Sequence, residues 1–303
     1  MPVRSLIHYA LEVPDQQVGQ RFYQDFGFED ATGASNAVKL RPKPLAREQI
    51  FLYAGPKKRL HHLAFAAPDQ DFEAVRARLQ AAGVREVDAP KDAPEGGVWA
   101  RDPDGHLVNV RDEQPVAPPP DPPLSYNSPG HAVRQGKRAI EPPVAEPATP
   151  RRLGHVMLFT PDIERQKSFY LDTLGLKLSD QVPGLAAFMR CSADHHNVAL
   201  VQSDHPGFHH ASFEVGGIDE IALGTERMRE RGWEPAWGLG RHCIGSNFFY
   251  YTKDPWGSYA EYYFDLDYIP DDASWEPRDW DPQYALYVWG PDVPADFIHN
   301  REE

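Results

Sequence analysis

The chain is written twice. LIHYALEVPDQQVGQRFYQDFGF near the N-terminus is matched by LGHVMLFTPDIERQKSFYLDTLGL at an offset of 147 residues. This sets His8 over His155, Pro14 over Pro161, Phe22-Tyr23 over Phe169-Tyr170 and Asp25 over Asp172. Further on, LHHLAF (60–65) matches FHHASF (208–213) at 148, and DPDGHLVN (102–109) matches DPWGSYAE (254–261) at 152. Ordered similarity with slowly growing offsets is the mark of a duplication with small loop insertions. Such a chain must fold into two similar units.

Each half reads as two units of one strand, one helix and then short strands. In the second half strands are expected near 152–160, 185–190, 196–202, 209–215, 247–253 and 258–264, and helices near 161–174 and 217–232. The first of these helices has Thr160 to cap it, Pro161 for its first position, and Asp162 and Glu164 for the positive end of its dipole. The expected fold is α+β: two domains, each of two βαβββ modules forming a cupped, partly open β-barrel with its helices outside. Residues 115–150 hold 11 of the 30 prolines and show no helical or strand period. They read as an extended connector, part of it packed on a domain surface. The divisions are therefore an N-terminal domain (1–114), the connector (115–150), a C-terminal domain (151–268) and a tail (269–303). The tail is too rich in Trp and Tyr to be a solvated extension. It either covers a cavity mouth or forms an oligomer contact.

The 303 residues suit two ordinary domains. The balance of 31 basic and 45 acidic residues, a formal charge of −14, argues against nucleic acid or an anionic membrane as partner. No apolar run reaches the 18 residues that would suggest a membrane span. The N-terminus alternates like a strand and does not resemble a secretory signal. Cys191 and Cys243 are the only cysteines and have no metal-type spacing, which fits a cytoplasmic enzyme.

The two copies differ where it matters chemically. His155, His210 and Glu261 correspond to His8, His62 and Asn109, so a carboxylate in the second copy is an uncharged amide in the first. Two histidines and one carboxylate form the three-ligand face that holds non-haem Fe(II) and leaves positions open. A metal site is therefore expected in the second copy, with His8 and His62 as structural remnants. His209 and His210 are adjacent on a strand and should point to opposite faces. His209 shares its row with Ala211, Phe213 and Val215 and should pack under a helix; His210, in register with Ser212 and Glu214, should face a wet cavity. Folding the chain about Asp254-Pro255-Trp256-Gly257 sets Tyr251 opposite Glu261.

The segment GRHCIGSNFFYYTKDPWGSYAEYY (240–263) resembles the signature of the type I extradiol ring-cleavage dioxygenases of the vicinal oxygen chelate superfamily. Gly240, His242, Tyr251, Asp254, Pro255, Gly257 and Glu261 fall on its positions; Tyr250 departs from an expected aliphatic residue or Phe. HHNVALV (195–201) and FHHASF (208–213) resemble further motifs of that family. The resemblance implies His155, His210 and Glu261 as ligands of Fe(II), or in some members Mn(II). It implies His196, in preference to His195, as the acid–base residue, Tyr251 as a hydrogen-bond donor to substrate, and His242 beside the metal ligands. The implied reaction is extradiol (meta) cleavage of a catechol-type diol by O2 to a muconic semialdehyde-type product. The family is commonly oligomeric, so a homo-oligomer is expected. A glyoxalase-like isomerase and a non-catalytic ligand-binding protein are the rival readings of the same fold.

Overall fold

A computed structural model describes residues 1–115, 117–120 and 126–302. The first half runs β1 (Ser5–Val13), α1 (Gln16–Asp25), β2 (Phe28–Asp30), β3 (Val38–Pro42), β4 (Ile50–Ala54), β5 (Arg59–Ala66), α2 (Gln70–Ala81), β6 (Val98–Arg101) and β7 (Leu107–Arg111). The second half repeats the order as β8 (Arg152–Thr160), α3 (Ile163–Ser168), β9 (Lys177–Val182), β10 (Ala186–Arg190), β11 (Val198–Gln202), β12 (Gly207–Glu214), α4 (Ile218–Glu230), β13 (Pro235–His242), β14 (Phe248–Lys253) and β15 (Tyr259–Phe264). The tail adds β16 (Arg278–Asp279) and β17 (Tyr287–Trp289).

The duplication is visible in the pairing. In each half the first strands of the two modules lie side by side and antiparallel, β1 with β5 and β8 with β12. Each of these pairs in parallel with the last strand of its own module: β1 with β4, β5 with β7, β8 with β11 and β12 with β15. The result is one seven-stranded and one ten-stranded sheet, neither closed into a full barrel. The second module of the first half is abbreviated. Two strands follow α2, and a single Glu86–Ala100 bridge stands where a third would lie.

Both Asp-Pro-x-Gly turns have the same physical construction. The Asp102 carboxylate accepts from the N–H groups of Asp104 and His106, and that of Asp254 from Trp256 and Ser258. The glycines that follow, Gly105 and Gly257, sit at φ of +92° and +91°, a conformation other residues adopt only with strain. These turns fix the hairpin register. Tyr251 pairs with Glu261, as expected from the sequence, and Trp99 pairs with Asn109 at the equivalent place.

The structure corrects three local expectations. Helix α3 is capped by Asp162, whose carboxylate accepts from Arg165 N–H at 3.1 Å, and not by Thr160. Thr160 stays in β8, where its carbonyl holds Ser203 N–H at 2.8 Å. The helix then widens into a π turn over Phe169–Thr173. β9 and β13 were not expected, because neither has a clean alternation of apolar and polar residues. His196, expected at the start of a strand, lies in the loop before β11 beside His195.

No helix or extended strand occurs among the described residues between 112 and 151. Part of this stretch is held down: Arg151 donates to the carbonyls of Pro119 and Pro120, and Ala148 is buried in the common core. That core runs through both halves. Phe26 and Tyr262 stack at 3.7 Å, and the Tyr262 hydroxyl donates to Phe26 O at 2.7 Å. Buried Gln166 donates to Asp102 at 2.6 Å. Among the described residues no helix is long and apolar enough to cross a membrane.

Candidate metal centre

Three neighbouring strands present the candidate ligands: His155 on β8, His210 on β12 and Glu261 on β15. Ser212 of β12 pairs with His155 on one side and with Glu261 on the other. Those two side chains therefore stand in one row, and His210, two residues from Ser212, shares their face. Ser212 is small and fully buried, so nothing bulky intrudes between them.

His155 Nε2 lies 3.2 Å from His210 Nε2 and 3.3 Å from Glu261 Oε2, and His210 Nε2 lies 3.4 Å from the same oxygen. Three donors about 2.1 Å from one ion stand about 3.0–3.4 Å apart at angles between octahedral and tetrahedral. The triangle has the right size for one cation. Glu261 Oε2 is also buried and has no hydrogen-bond partner among the described residues. A carboxylate oxygen in that condition is costly unless a cation meets it. The other oxygen, Oε1, accepts from Asn247 Nδ2 at 3.2 Å. Among the described residues this is the one group of three such donors within 4.8 Å of one another.

The tail fixes where two protons sit. A carbonyl can only accept, so His209 Nε2, 2.8 Å from Phe297 O, carries hydrogen and its Nδ1 is bare. That bare nitrogen lies 2.6 Å from His210 Nδ1, which must then be the donor, and His210 Nε2 is left bare toward the cluster. A metal ligand needs this state. His242 Nδ1 donates to Leu286 O at 2.7 Å, which leaves His242 Nε2 to accept from the Tyr251 hydroxyl at 2.9 Å. His155 lacks such a lock; its buried Nδ1 has no hydrogen-bond partner among the described residues. Burial holds His210 and His196 well below the usual histidine range, and His209 down at about 3. Burial, and then the Glu261 charge, raises the Tyr251 phenol well above its usual value, so it stays a donor.

His209 does not pack under a helix. A bulge between Phe208 and His210 breaks the strict alternation of β12, and the His209 ring lies against Phe159, Tyr259 and Phe297. Sequence periodicity could not reveal this, because the covering residue is 88 positions away.

His155 and His210 line a cavity of about 350 Å³, and Glu261 is fully buried. His196, Tyr251, His242 and Asn247 line it beside the ligands, and Met157, Val182, Phe188, Val201 and Ile244 make an apolar wall. Pro282, Ala285, Leu286, Phe297 and Ile298 of the tail complete it. Three larger hollows, of about 790, 710 and 530 Å³, lie elsewhere, and among the described residues none holds such a cluster.

The first copy has turned its polar groups on itself. His8 Nε2 and His62 Nε2 are 2.9 Å apart, and Asn109 donates to the carbonyls of Gly96 and Val98. Trp99, at the position equivalent to Tyr251, packs edge-on to His62 at 4.9 Å. Burial lowers His8 to about 3. The unfolded chain therefore binds more protons than the folded one below about pH 6.5, and stability is lost as pH falls from there toward 3. His8→Phe should flatten the dependence of unfolding free energy on pH by about 1.4 kcal/mol per unit between roughly pH 4.5 and 6. Urea titrations at several pH values would measure this, and an unchanged slope would show that His8 takes up its proton while folded.

Comparison with known proteins agrees with this geometry. The model of the Glyoxalase/Bleomycin resistance protein/Dioxygenase superfamily matches residues 5–110 and 152–262. Metapyrocatechase 2 of Cupriavidus necator is 41% identical over 99% of this chain and 93% of its own. The iron-dependent extradiol dioxygenase of Rhodococcus jostii is 25% identical over 96% and 98%. The crystal structure of the Mn(II)-bound glyoxalase from Novosphingobium aromaticivorans superposes with a TM-score of 0.77 at 24% identity, over 97% of this chain and 93% of that one. The chain belongs to the Glyoxalase/Bleomycin resistance protein/Dioxygenase superfamily, and within it to the extradiol ring-cleavage dioxygenases. Its relatives include iron- and manganese-dependent dioxygenases, and the donor set of this chain fits a divalent cation.

Three contributions were missed in the sequence: Asn247, the orienting role of His209 and the carbonyls of the tail. Main-chain carbonyls carry no residue signal at all. Asn247, adjacent to the hairpin strand, could have been found from its place within the 240–263 motif.

Proposed function

We propose that the protein cleaves an uncharged catechol by O2 beside its hydroxyl pair, with Fe(II) held by His155, His210 and Glu261, to give a muconic semialdehyde-type product. The single observation that carries this reading is the triangle of His155, His210 and Glu261 beside an apolar cavity that His196 and Tyr251 also line. Bound there, a redox-active metal removes the spin barrier between triplet O2 and a closed-shell diol and lowers the pKa of the diol hydroxyls.

The chain's own residues supply the rest. The apolar wall holds the ring and excludes water, which strengthens every polar contact inside. Tyr251, kept as a phenol, turns its one hydrogen from His242 Nε2 to a substrate oxygen when the diol binds. His196, kept neutral by burial, takes a proton from the diol and returns it later. In this reading residues 151–268 are the catalytic domain and residues 1–114 its structural partner. Residues 269–303 close the cavity, and the enzyme works in the cytoplasm.

Among the described residues neither Lys nor Arg lines the cavity. A substrate carboxylate buried there would meet no counter-charge from the protein, at a cost of several kcal/mol. Oxygen uptake by Fe(II)-loaded protein, with the yellow ring-fission product followed in parallel, is the test. The expected result is turnover of catechol and methylcatechols, with kcat/KM at least about a hundredfold above that for 3,4-dihydroxybenzoate. Preference for the carboxylated diol would overturn the assignment of an uncharged substrate. No uptake across a catechol panel would favour an isomerase or a binding protein.

A further inference from the structure

We propose that Asp180 and His195 form a positioning pair that places the hydrogen of His196 on Nδ1, so that its Nε2 lone pair is presented to the cavity. This rests on the reading of His196 as the acid–base residue. The three groups form a buried chain. Asp180 Oδ2 lies 3.2 Å from His195 Nε2, and His195 Nδ1 lies 3.0 Å from His196 Nδ1. All three residues are buried.

The direction of the chain follows from what each atom can do. A carboxylate accepts only, so His195 Nε2 is the donor. A neutral His195 then has a bare Nδ1, which must accept from His196 Nδ1–H. His196 Nε2, which no described residue hydrogen-bonds, is the nitrogen left free, and the residue lines the cavity. Two further contacts hold the pair. The second Asp180 oxygen, Oδ1, accepts from Arg278 N–H at 2.7 Å. The Trp275 ring stands edge-on to His195 at 5.2 Å, with its N–H anchored on Ser179 O at 2.8 Å. His195 is thus not a spare neighbour of the acid–base histidine but the residue that sets its tautomer, and two tail residues seal the arrangement.

The Arg278 contact makes Asp180→Asn an informative variant. The amide oxygen would stay with Arg278 N–H, which turns the amide NH2 toward His195 Nε2. His195 must then accept there, move its hydrogen to Nδ1 and donate to His196, whose own hydrogen shifts to Nε2. The lone pair is withdrawn from the cavity with no change in shape.

The experiment is long-range 1H–15N NMR of histidine-labelled full-length protein loaded with diamagnetic Zn(II), paired with oxygen-uptake kinetics of the Fe(II) form. Wild type should show hydrogen on His195 Nε2 and His196 Nδ1, and Asp180→Asn should show both reversed. The variant should retain its metal and lose about ten- to a hundredfold in kcat with a smaller change in KM. Asp180→Glu, which restores the acceptor, should recover part of the loss. Hydrogen on His196 Nε2 in the wild type, two protonated nitrogens on His195, or an Asp180→Asn variant with unmoved tautomers would each overturn the proposal. The wild-type spectrum decides even where a variant fails to fold. If the spectra are as expected but no catechol is turned over, the pair stands and the functional reading falls.

Discussion

His210→Ala is expected to leave a folded protein that cannot keep its metal, while His62→Ala keeps it. Partners that merely orient a ligand are worth about 10–100-fold in metal affinity, so a ligand itself should be worth on the order of a thousandfold or more. The loss goes beyond one donor. With His210 gone, Glu261 Oε2 is still buried without a hydrogen bond and now faces a weaker ion site. Oxygen uptake should fall by at least about a thousandfold. His62 makes the matching contact in the first half, 2.9 Å from His8, but Asn109 there is committed to two carbonyls. His62→Ala should therefore cost only stability, about 1–3 kcal/mol for a buried side chain. Metal content after dialysis, by atomic emission, and circular dichroism of both variants are the measurements. Loss of metal from folded His62→Ala would put the working centre in the wrong copy.

His196→Phe should divide the two properties the other way. The ring of His196 lies 4.1 Å from His155 and 5.2 Å from Phe188, so an aromatic replacement fills the same space. Metal content should match the wild type. Turnover should fall by about 10²–10⁴, the range of a lost acid–base group, with little change in KM. The deficit should be largest for unsubstituted catechol and smaller for nitro-substituted catechols, whose hydroxyls give up a proton readily. Wild-type turnover by the variant would remove His196 from proton transfer altogether.

Much of the site was legible because a duplicated sequence supplies its own comparison. Glu261 stands out only against Asn109, and the strand bearing each ligand follows from local patterning. The Tyr251–Glu261 register could be counted from the Asp-Pro-x-Gly turn, since the turn residues fix both its geometry and the pairing that follows. What failed in the sequence failed where local alternation misleads or is interrupted. His209 was read from alternation alone, and a bulge in β12 together with Phe297 gave it a different neighbourhood. β13 escaped notice because its glycines interrupt any period.

The sequence by itself determined the two-fold plan, the copy that kept three donors and the residues that flank them. These are written in side-chain identity, in local spacing and in the repeat offsets of 147, 148 and 152 residues. Only the tertiary structure decided which nitrogen carries hydrogen in the histidines around the centre that have a fixed partner. That depends on Leu286 O and Phe297 O and on the Asp180 carboxylate, brought to His242, His209 and His195 from 44, 88 and 15 positions away. A backbone carbonyl is the same in every residue, so no reading of side chains could have found it.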